Sequence, residues 1–169
     1  MNKLELISRE HDRDNFDCGV QPLNVYLRHT ARQHTERGIS RTYVLVPDEA
    51  RVPKTILGYF TLNLCQLHSD VLPPDLARKL PHEIGGIKLG RLAIAKNFQG
   101  QGFGKLLLIG ALKKTIEVYD AAGGMGLFVD AKDNHARMYY QQFGFVCTNT
   151  DSLLLFLPLA TIRQLVTGA

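Results

Sequence analysis

Three glycines, Gly100, Gly102 and Gly104, lie between the apolar stretch Leu89–Ala95 and a run of helix-forming residues, and they carry the first hint of chemistry in this chain. A glycine has no Cβ, so alternating glycines let the backbone wrap closely around a ligand. From Lys105 the sequence Lys-Leu-Leu-Leu-Ile-Gly-Ala-Leu-Lys-Lys-Thr-Ile-Glu-Val-Tyr reads as a helix. A helix starting there turns its first unpaired N–H groups, and the positive end of its dipole, toward the loop. Such an end binds anions, and a diphosphate is the anion expected.

Nucleotide-binding patterns sort that loop further. A P-loop requires G-x-x-x-x-G-K-[ST]. Counting back from Gly104-Lys105, its first glycine falls on Gln99, and Leu106 stands where a hydroxyl must meet magnesium. A dinucleotide fingerprint, G-x-G-x-x-G, fails at Lys105 counted from Gly100 and at Leu107 counted from Gly102. What fits is Q-x-x-G-x-G, at Gln99, Gly102 and Gly104. That pattern resembles the pyrophosphate-binding signature of the GCN5-related N-acetyltransferases, and the preceding strand Arg91-Leu92-Ala93-Ile94 matches as well. The resemblance implies acetyl-CoA as co-substrate, with no metal. Its holders would be Leu92, Ala93, Ile94, Gln99, Gly100, Gln101, Gly102, Phe103, Gly104 and Lys105.

A second segment fits the same family. Asp130 to Phe145 contains Asn134, Ala136, Tyr140 and Gly144-Phe145 in the order N-x-x-A-x-x-x-Y-x-x-x-G-F, with one residue fewer between Asn134 and Ala136. The resemblance implies that Asn134 hydrogen-bonds the pantetheine arm and that the Tyr140 hydroxyl lies near the sulfur. A phenol with an ordinary pKa of about 10 stays protonated at neutral pH and can serve as a general acid. Tyr139 and Tyr140 point about 100° apart on a helix, so only one faces the sulfur. The other packs under the Phe143-Gly144-Phe145 turn, and the acid role is assigned to Tyr140. A backbone N–H near Ala93 or Ile94 can polarise the thioester carbonyl. Direct attack by the amine needs no covalent enzyme intermediate, so Cys65 and Cys147 are read as core. The six histidines lack metal-ligand spacing, and none is assigned as a base.

These residues need a scaffold. Leu4 to Ser8 predicts a first strand, and Pro22 to Arg37 a helix with Pro22 in an early position. Arg41 to Pro47 and Thr55 to Leu67 predict two strands joined through a polar turn at 47–54. Pro73 to Leu80 predicts a short helix, Gly126 to Ala131 a strand, and Asn134 to Gln142 a helix capped by Asp133 or Asn134. Phe143 to Thr148 and Ser152 to Pro158 complete the sheet, and Pro158 to Val166 forms a last helix. The fold class expected is α/β, with a mixed central sheet flanked by helices on both faces. The resemblance, which covers nearly the whole chain, implies a splayed strand pair holding acetyl-CoA and one N-acetyltransferase domain over residues 1–169.

Bulk properties agree with one such domain. The chain has 169 residues, 45% of them hydrophobic and 21% charged, a composition ordinary for a globular protein. Three widely spaced cysteines without a C-x-x-C point to reduced thiols and a cytoplasmic location. Charges interrupt the only apolar run at the N-terminus, which argues against a signal peptide. The stretch Leu153–Ala160 is broken by Pro158 and too short to cross a bilayer, so no membrane partner is expected. The net charge of +4 is compatible with an acidic partner such as RNA.

A narrower resemblance bears on the substrate. Asn15-Phe16-Asp17-Cys18-Gly19, then Leu23, Asn24, Tyr26 and Leu27, then Ser40-Arg41-Thr42-Tyr43-Val44 are similar to the acetyltransferase toxins of bacterial toxin–antitoxin modules. Gly90-Arg91-Leu92-Ala93 and Tyr140-x-x-Phe-Gly-Phe fit the same group. The group acetylates the amino acid on charged tRNA, is commonly dimeric, and is neutralised by a ribbon-helix-helix antitoxin. The resemblance therefore implies aminoacyl-tRNA, that antitoxin and a homodimer as partners. Relatives also carry Arg at the position of Gln99, and residues 67–86 hold no recognisable motif. Arg28, Arg32, Arg41, Arg91 and Lys96 are candidate phosphate contacts, Arg28 and Arg32 lying one helical turn apart. Two rivals stand beside this reading: an N-acetyltransferase for a protein or small-molecule amine, and an inactive binding module on the same fold.

Overall fold

Apolar runs in the sequence become the strands of a seven-stranded mixed sheet in the computed structural model, which describes residues 1–48, 51–148 and 153–168. In chain order the strands are β1 (Asn2–Leu6), β2 (His11–Asp12), β3 (Arg41–Pro47), β4 (Lys54–Thr55), β5 (Gly58–His68), β6 (Glu83–Ile94), β7 (Gly126–Asp130), β8 (Val146–Cys147) and β9 (Leu154–Pro158). The helices are α1 (Gln21–His29), α2 (Ala31–Glu36), α3 (Pro74–Ala77), α4 (Phe103–Ala122), α5 (Asn134–Gln141) and α6 (Leu159–Thr167). The sheet runs β1-β3-β5-β6-β7-β9-β8 and is flanked by helices, as the α/β reading anticipates. Strands β2 and β4 form a separate parallel pair that sequence patterning does not announce, because two residues carry no periodicity. The expected last strand starts at Ser152, which lies outside the described residues; the described strand begins at Leu154.

The chain divides into two compact units, Met1–Asn63 with Gly90–Ala111, and Leu64–Leu89 with Leu112–Ala169. In the first unit β1 pairs antiparallel with β3 from Asn2↔Pro47 to Leu6↔Tyr43, and β3 pairs with β5. Leu27, Ala31, Val44, Val46, Tyr59 and Ala93 build its core. The expected helix Pro22–Arg37 is in fact two helices, broken at Thr30, whose φ of −124° leaves the helical range. A β-branched residue is a weak helix former, but that preference alone is too small to fix where a helix breaks. Arg28 and Arg32 consequently sit on different helices.

One charged cluster ties β1 to the small sheet. The Glu5 carboxylate accepts from His11 Nε2 at 2.7 Å and from Lys54 Nζ at 3.1 Å. Burial on its own would raise the Glu5 pKa, but the hydrogen bonds from His11, Lys54 and Lys3 outweigh it and hold the carboxyl at about 2. A depressed pKa means the folded state favours the ionised form. Its stabilisation is therefore complete above the ordinary carboxylate range, near about 4.3, and fades as pH falls toward about 2. Glu5→Gln should flatten the acid limb of the stability curve within that window. Denaturant melts at stepped pH check this, and an acid limb as steep as the parent's would contradict it.

In the second unit β6 and β7 run parallel, from Ile87↔Leu127 to Leu89↔Val129, and β7 pairs antiparallel with β9. Leu72, Ile84, Phe128, Leu154 and Phe156 form its core, with the Phe128 and Phe156 rings 4.9 Å apart. From residues 67–86, which carry no motif, Leu67, Val71, Leu76 and Leu80 pack against that core. Tyr119 stitches the parallel pair: its buried hydroxyl accepts from the Ile87 N–H at 2.9 Å and donates to the Gly126 carbonyl. Tyr119→Phe leaves a buried N–H and C=O unpaired and should cost about 1–3 kcal/mol. Urea unfolding of the variant measures that loss.

Candidate functional site

Strand β6 delivers the chain to the glycine loop. Its last residues, Leu92, Ala93 and Ile94, are half-buried, buried and half-buried. Gly58 lets β5 approach this end closely, since a Cβ there would lie 2.8 Å from the Ala93 carbonyl oxygen. The Ala95 N–H donates to the Leu57 carbonyl at 2.9 Å, and a 3-10 turn at Lys96–Phe98 follows.

The loop has the form expected of an anion cradle. Gly100 and Gly102 hold φ of +74° and +85°, a left-handed conformation that disfavours side chains, and a Cβ at either would meet nothing within 4 Å. The space above the loop backbone is therefore open. Leu106 N–H donates to the Gly102 carbonyl at 3.2 Å, the first turn of α4. The N–H groups of Phe103, Gly104 and Lys105 precede any intrahelical acceptor and face out of the helix end. Lys105 is exposed beside them. These features fit a diphosphate: open backbone donors, a dipole of the right sign and a nearby cation.

The two loop glutamines do something that spacing alone does not reveal. Gln99 Nε2 donates to the Ile94 carbonyl at 2.9 Å and to the Cys18 carbonyl at 3.0 Å. Gln101 Nε2 donates to the Asn97 carbonyl at 3.1 Å. Both side chains brace the loop, which leaves the backbone as its anion-facing surface.

In the second unit, Asp133 caps α5, its carboxylate accepting from the Ala136 N–H at 2.8 Å. Asn134 is the first residue of that helix and is exposed, so its amide is open to a ligand. Tyr140 is buried, its ring 5.4 Å from Phe145 and 5.5 Å from Tyr139. Tyr139 is half-buried and packs against Phe143. Both tyrosines thus touch the Phe143-Gly144-Phe145 turn, and they differ in depth. Burial, reinforced by the neighbouring Tyr139, pushes the Tyr140 hydroxyl well above its ordinary pKa. It is neutral throughout the physiological range, and no described residue hydrogen-bonds it.

The five basic candidates have unequal surroundings. Arg91 lies over the Tyr26 ring, its guanidinium carbon 3.6 Å from the centroid. Arg32 is paired with Glu36 at 2.7 Å, its side chain only 16% exposed. Arg28 is half-buried, Arg41 is exposed, and exposed Lys96 faces Asp17 at 3.3 Å. Arg41 and Lys96 present the most accessible charge. Among the described residues no helix is long and apolar enough to cross a membrane.

The chain is similar to known proteins in sequence and in fold. The acetyltransferase (GNAT) domain family matches residues 81–153. The chain is 31% identical over 161 residues to a tRNA-acetylating toxin of Mycobacterium tuberculosis, a match covering 95% of this chain and 93% of that one. It is similar to the solved structure of AtaT complexed with acetyl-methionyl-tRNAfMet, with a TM-score of 0.89, 30% identity, and 98% and 99% of the two chains covered. A tyrosine-to-phenylalanine mutant of the AtaT toxin, bound to the C-terminus of the antitoxin AtaR and acetyl-CoA, matches with a TM-score of 0.81 and 28% identity over 99% of each chain.

Proposed function

The chain belongs to the GNAT acetyltransferases, and from that premise we propose that it acetylates the amino group of aminoacyl-tRNA and so blocks translation. What carries the reading is the likeness, along nearly the whole chain, to a toxin that acetylates tRNA. That end-to-end match also supports one catalytic domain spanning the chain.

Acetyl-CoA supplies an acetyl group on a sulfur leaving group. The backbone N–H groups at the start of α4 hold its diphosphate, with Lys105 adding charge, and Asn134 hydrogen-bonds the arm. A backbone N–H near Ala93 or Ile94 polarises the carbonyl. Tyr140 keeps its proton until the sulfur departs and donates toward it. The acceptor needs little help: an α-amine with a pKa of about 7.7 is partly neutral at cellular pH. The proton that the amine sheds as the amide forms passes to solvent, from which Tyr140 regains its own. Arg41 and Lys96, with Arg28, Arg32 and Arg91, contact tRNA phosphates. The protein acts in the cytoplasm as a homodimer, restrained by a ribbon-helix-helix antitoxin.

The direct test incubates the protein with acetyl-CoA and total charged tRNA, then digests with nuclease and looks for N-acetylated aminoacyl-adenosine. Its appearance is the expected result, together with tRNA binding that weakens as salt rises. Absence of that product alongside efficient acetylation of a peptide or polyamine would assign the enzyme to those amines instead.

A further inference from the structure

The turn Asp17-Cys18-Gly19 is stitched to the glycine loop and to α1 by a set of hydrogen bonds that the acetyl-transfer reading leaves unused. Asn24, on α1, is 3% exposed. Its Oδ1 accepts from the Cys18 N–H at 2.9 Å, and its Nδ2 donates to Asp17 Oδ1 at 2.9 Å. Asp17 Oδ1 also accepts from the Gly19 N–H at 2.9 Å. A single buried amide thus sets the shape of the turn.

The turn in turn grips the residues that lead into the loop. The Asp17 carbonyl accepts from the Lys96 N–H at 2.8 Å, and the Asp17 carboxylate faces Lys96 Nζ at 3.3 Å. The Cys18 carbonyl accepts from Gln99 Nε2 at 3.0 Å. Hydrogen bonds from Gly19 and Asn24, with Lys96 beside them, lower the Asp17 pKa, so its carboxylate stays ionised. Both ends of the 96–99 segment are held from outside, immediately before Gly100 takes up its left-handed conformation.

We infer that Asn24, Asp17 and Gln99 are positioning residues that preorganise the glycine loop for acetyl-CoA. The inference rests on the reading of that loop as the acetyl-CoA site. A loop whose approach is fixed has its backbone donors aligned before the ligand arrives, so less ordering entropy is lost on binding. Asn24 itself reaches no residue of 100–105, so its effect passes through the Cys18 and Asp17 carbonyls. Gln99 must be a donor to two carbonyls at once, which an arginine can also do and a glutamate cannot.

Calorimetry with acetyl-CoA, alongside thermal melts without ligand and turnover at saturating acetyl-CoA, tests this. Asn24→Ala and Gln99→Met, which removes the donor without adding charge, should each weaken acetyl-CoA binding on the order of tenfold, and Asn24→Ala should keep saturated turnover near the parent's. Gln99→Arg should restore affinity. A merely structural role would instead lower the melting temperature and the active fraction, and leave the affinity of the folded molecules unchanged. Should Asn24→Ala fail to fold, the exposed Gln99 pair decides: equal affinities for Gln99→Met and the parent overturn the inference. Gly102→Glu serves as the control on the premise. Unchanged binding in that variant removes the loop assignment and the inference with it. Weakened binding in Gly102→Glu, with full binding in Asn24→Ala and Gln99→Met, overturns the inference alone.

Discussion

Tyr140→Phe should bind acetyl-CoA as the parent does and lose turnover by a factor on the order of 10² to 10⁴. The substitution removes one oxygen and keeps the ring that packs on Phe145 and Tyr139. No described residue hydrogen-bonds that hydroxyl, so its loss leaves no buried partner unsatisfied and the fold should survive. Burial raises the hydroxyl pKa, so it is neutral across the working range and keeps a proton to donate. The pH–rate profile should accordingly climb with the neutral fraction of the acceptor amine and show no fall from Tyr140 below about pH 10. Saturated turnover and acetyl-CoA calorimetry, measured on the same preparation, separate the two effects. Tyr139→Phe is the companion variant, because both tyrosines touch the same turn. If Tyr139→Phe loses turnover and Tyr140→Phe keeps it, the acid is Tyr139.

Periodicity exposed the elements that lean on a long apolar run, and it did so where the chemistry sits. The strand Arg41–Pro47 and the glycine loop ahead of a long helix follow from residue type alone, since buried strands and helix ends have strong composition signals. The break at Thr30 and the pair β2–β4 do not, because each depends on one or two residues whose fate is decided by tertiary contacts. The cofactor strand was legible from Leu89, yet β6 begins at Glu83, since Gly85 and Gly86 mask its apolar character. In the site, the glycines could be found by spacing, whereas the brace made by Gln99 could not. Its acceptors are the backbone carbonyls of Cys18 and Ile94, and a carbonyl leaves no mark on residue identity. The two carbonyl acceptors call for a side chain with more than one N–H, which glutamine supplies and arginine could supply as well.

Gly102→Glu should weaken acetyl-CoA binding by a factor on the order of 10 to 10³ while the protein remains folded. Two costs act, one on folding and one on binding. Gly102 holds φ of +85°, which an L-residue adopts at roughly 1–2 kcal/mol. That strain is tolerable, because nothing lies within 4 Å of the position a Cβ would take. The second cost is electrostatic: a carboxylate about 4 Å from each diphosphate charge opposes binding by about 1–4 kcal/mol, depending on how far solvent screens it. Only the electrostatic cost acts on binding, since the strain is present with and without ligand, and it weakens affinity by a factor on the order of 10 to 10³. Gly102→Ala carries the strain without the charge and should retain most of the affinity, so the pair isolates the anion contribution. Added salt screens exposed charges, and it should narrow the gap between the two variants. A folded Gly102→Glu protein with parental affinity for acetyl-CoA would place the diphosphate somewhere other than the end of α4.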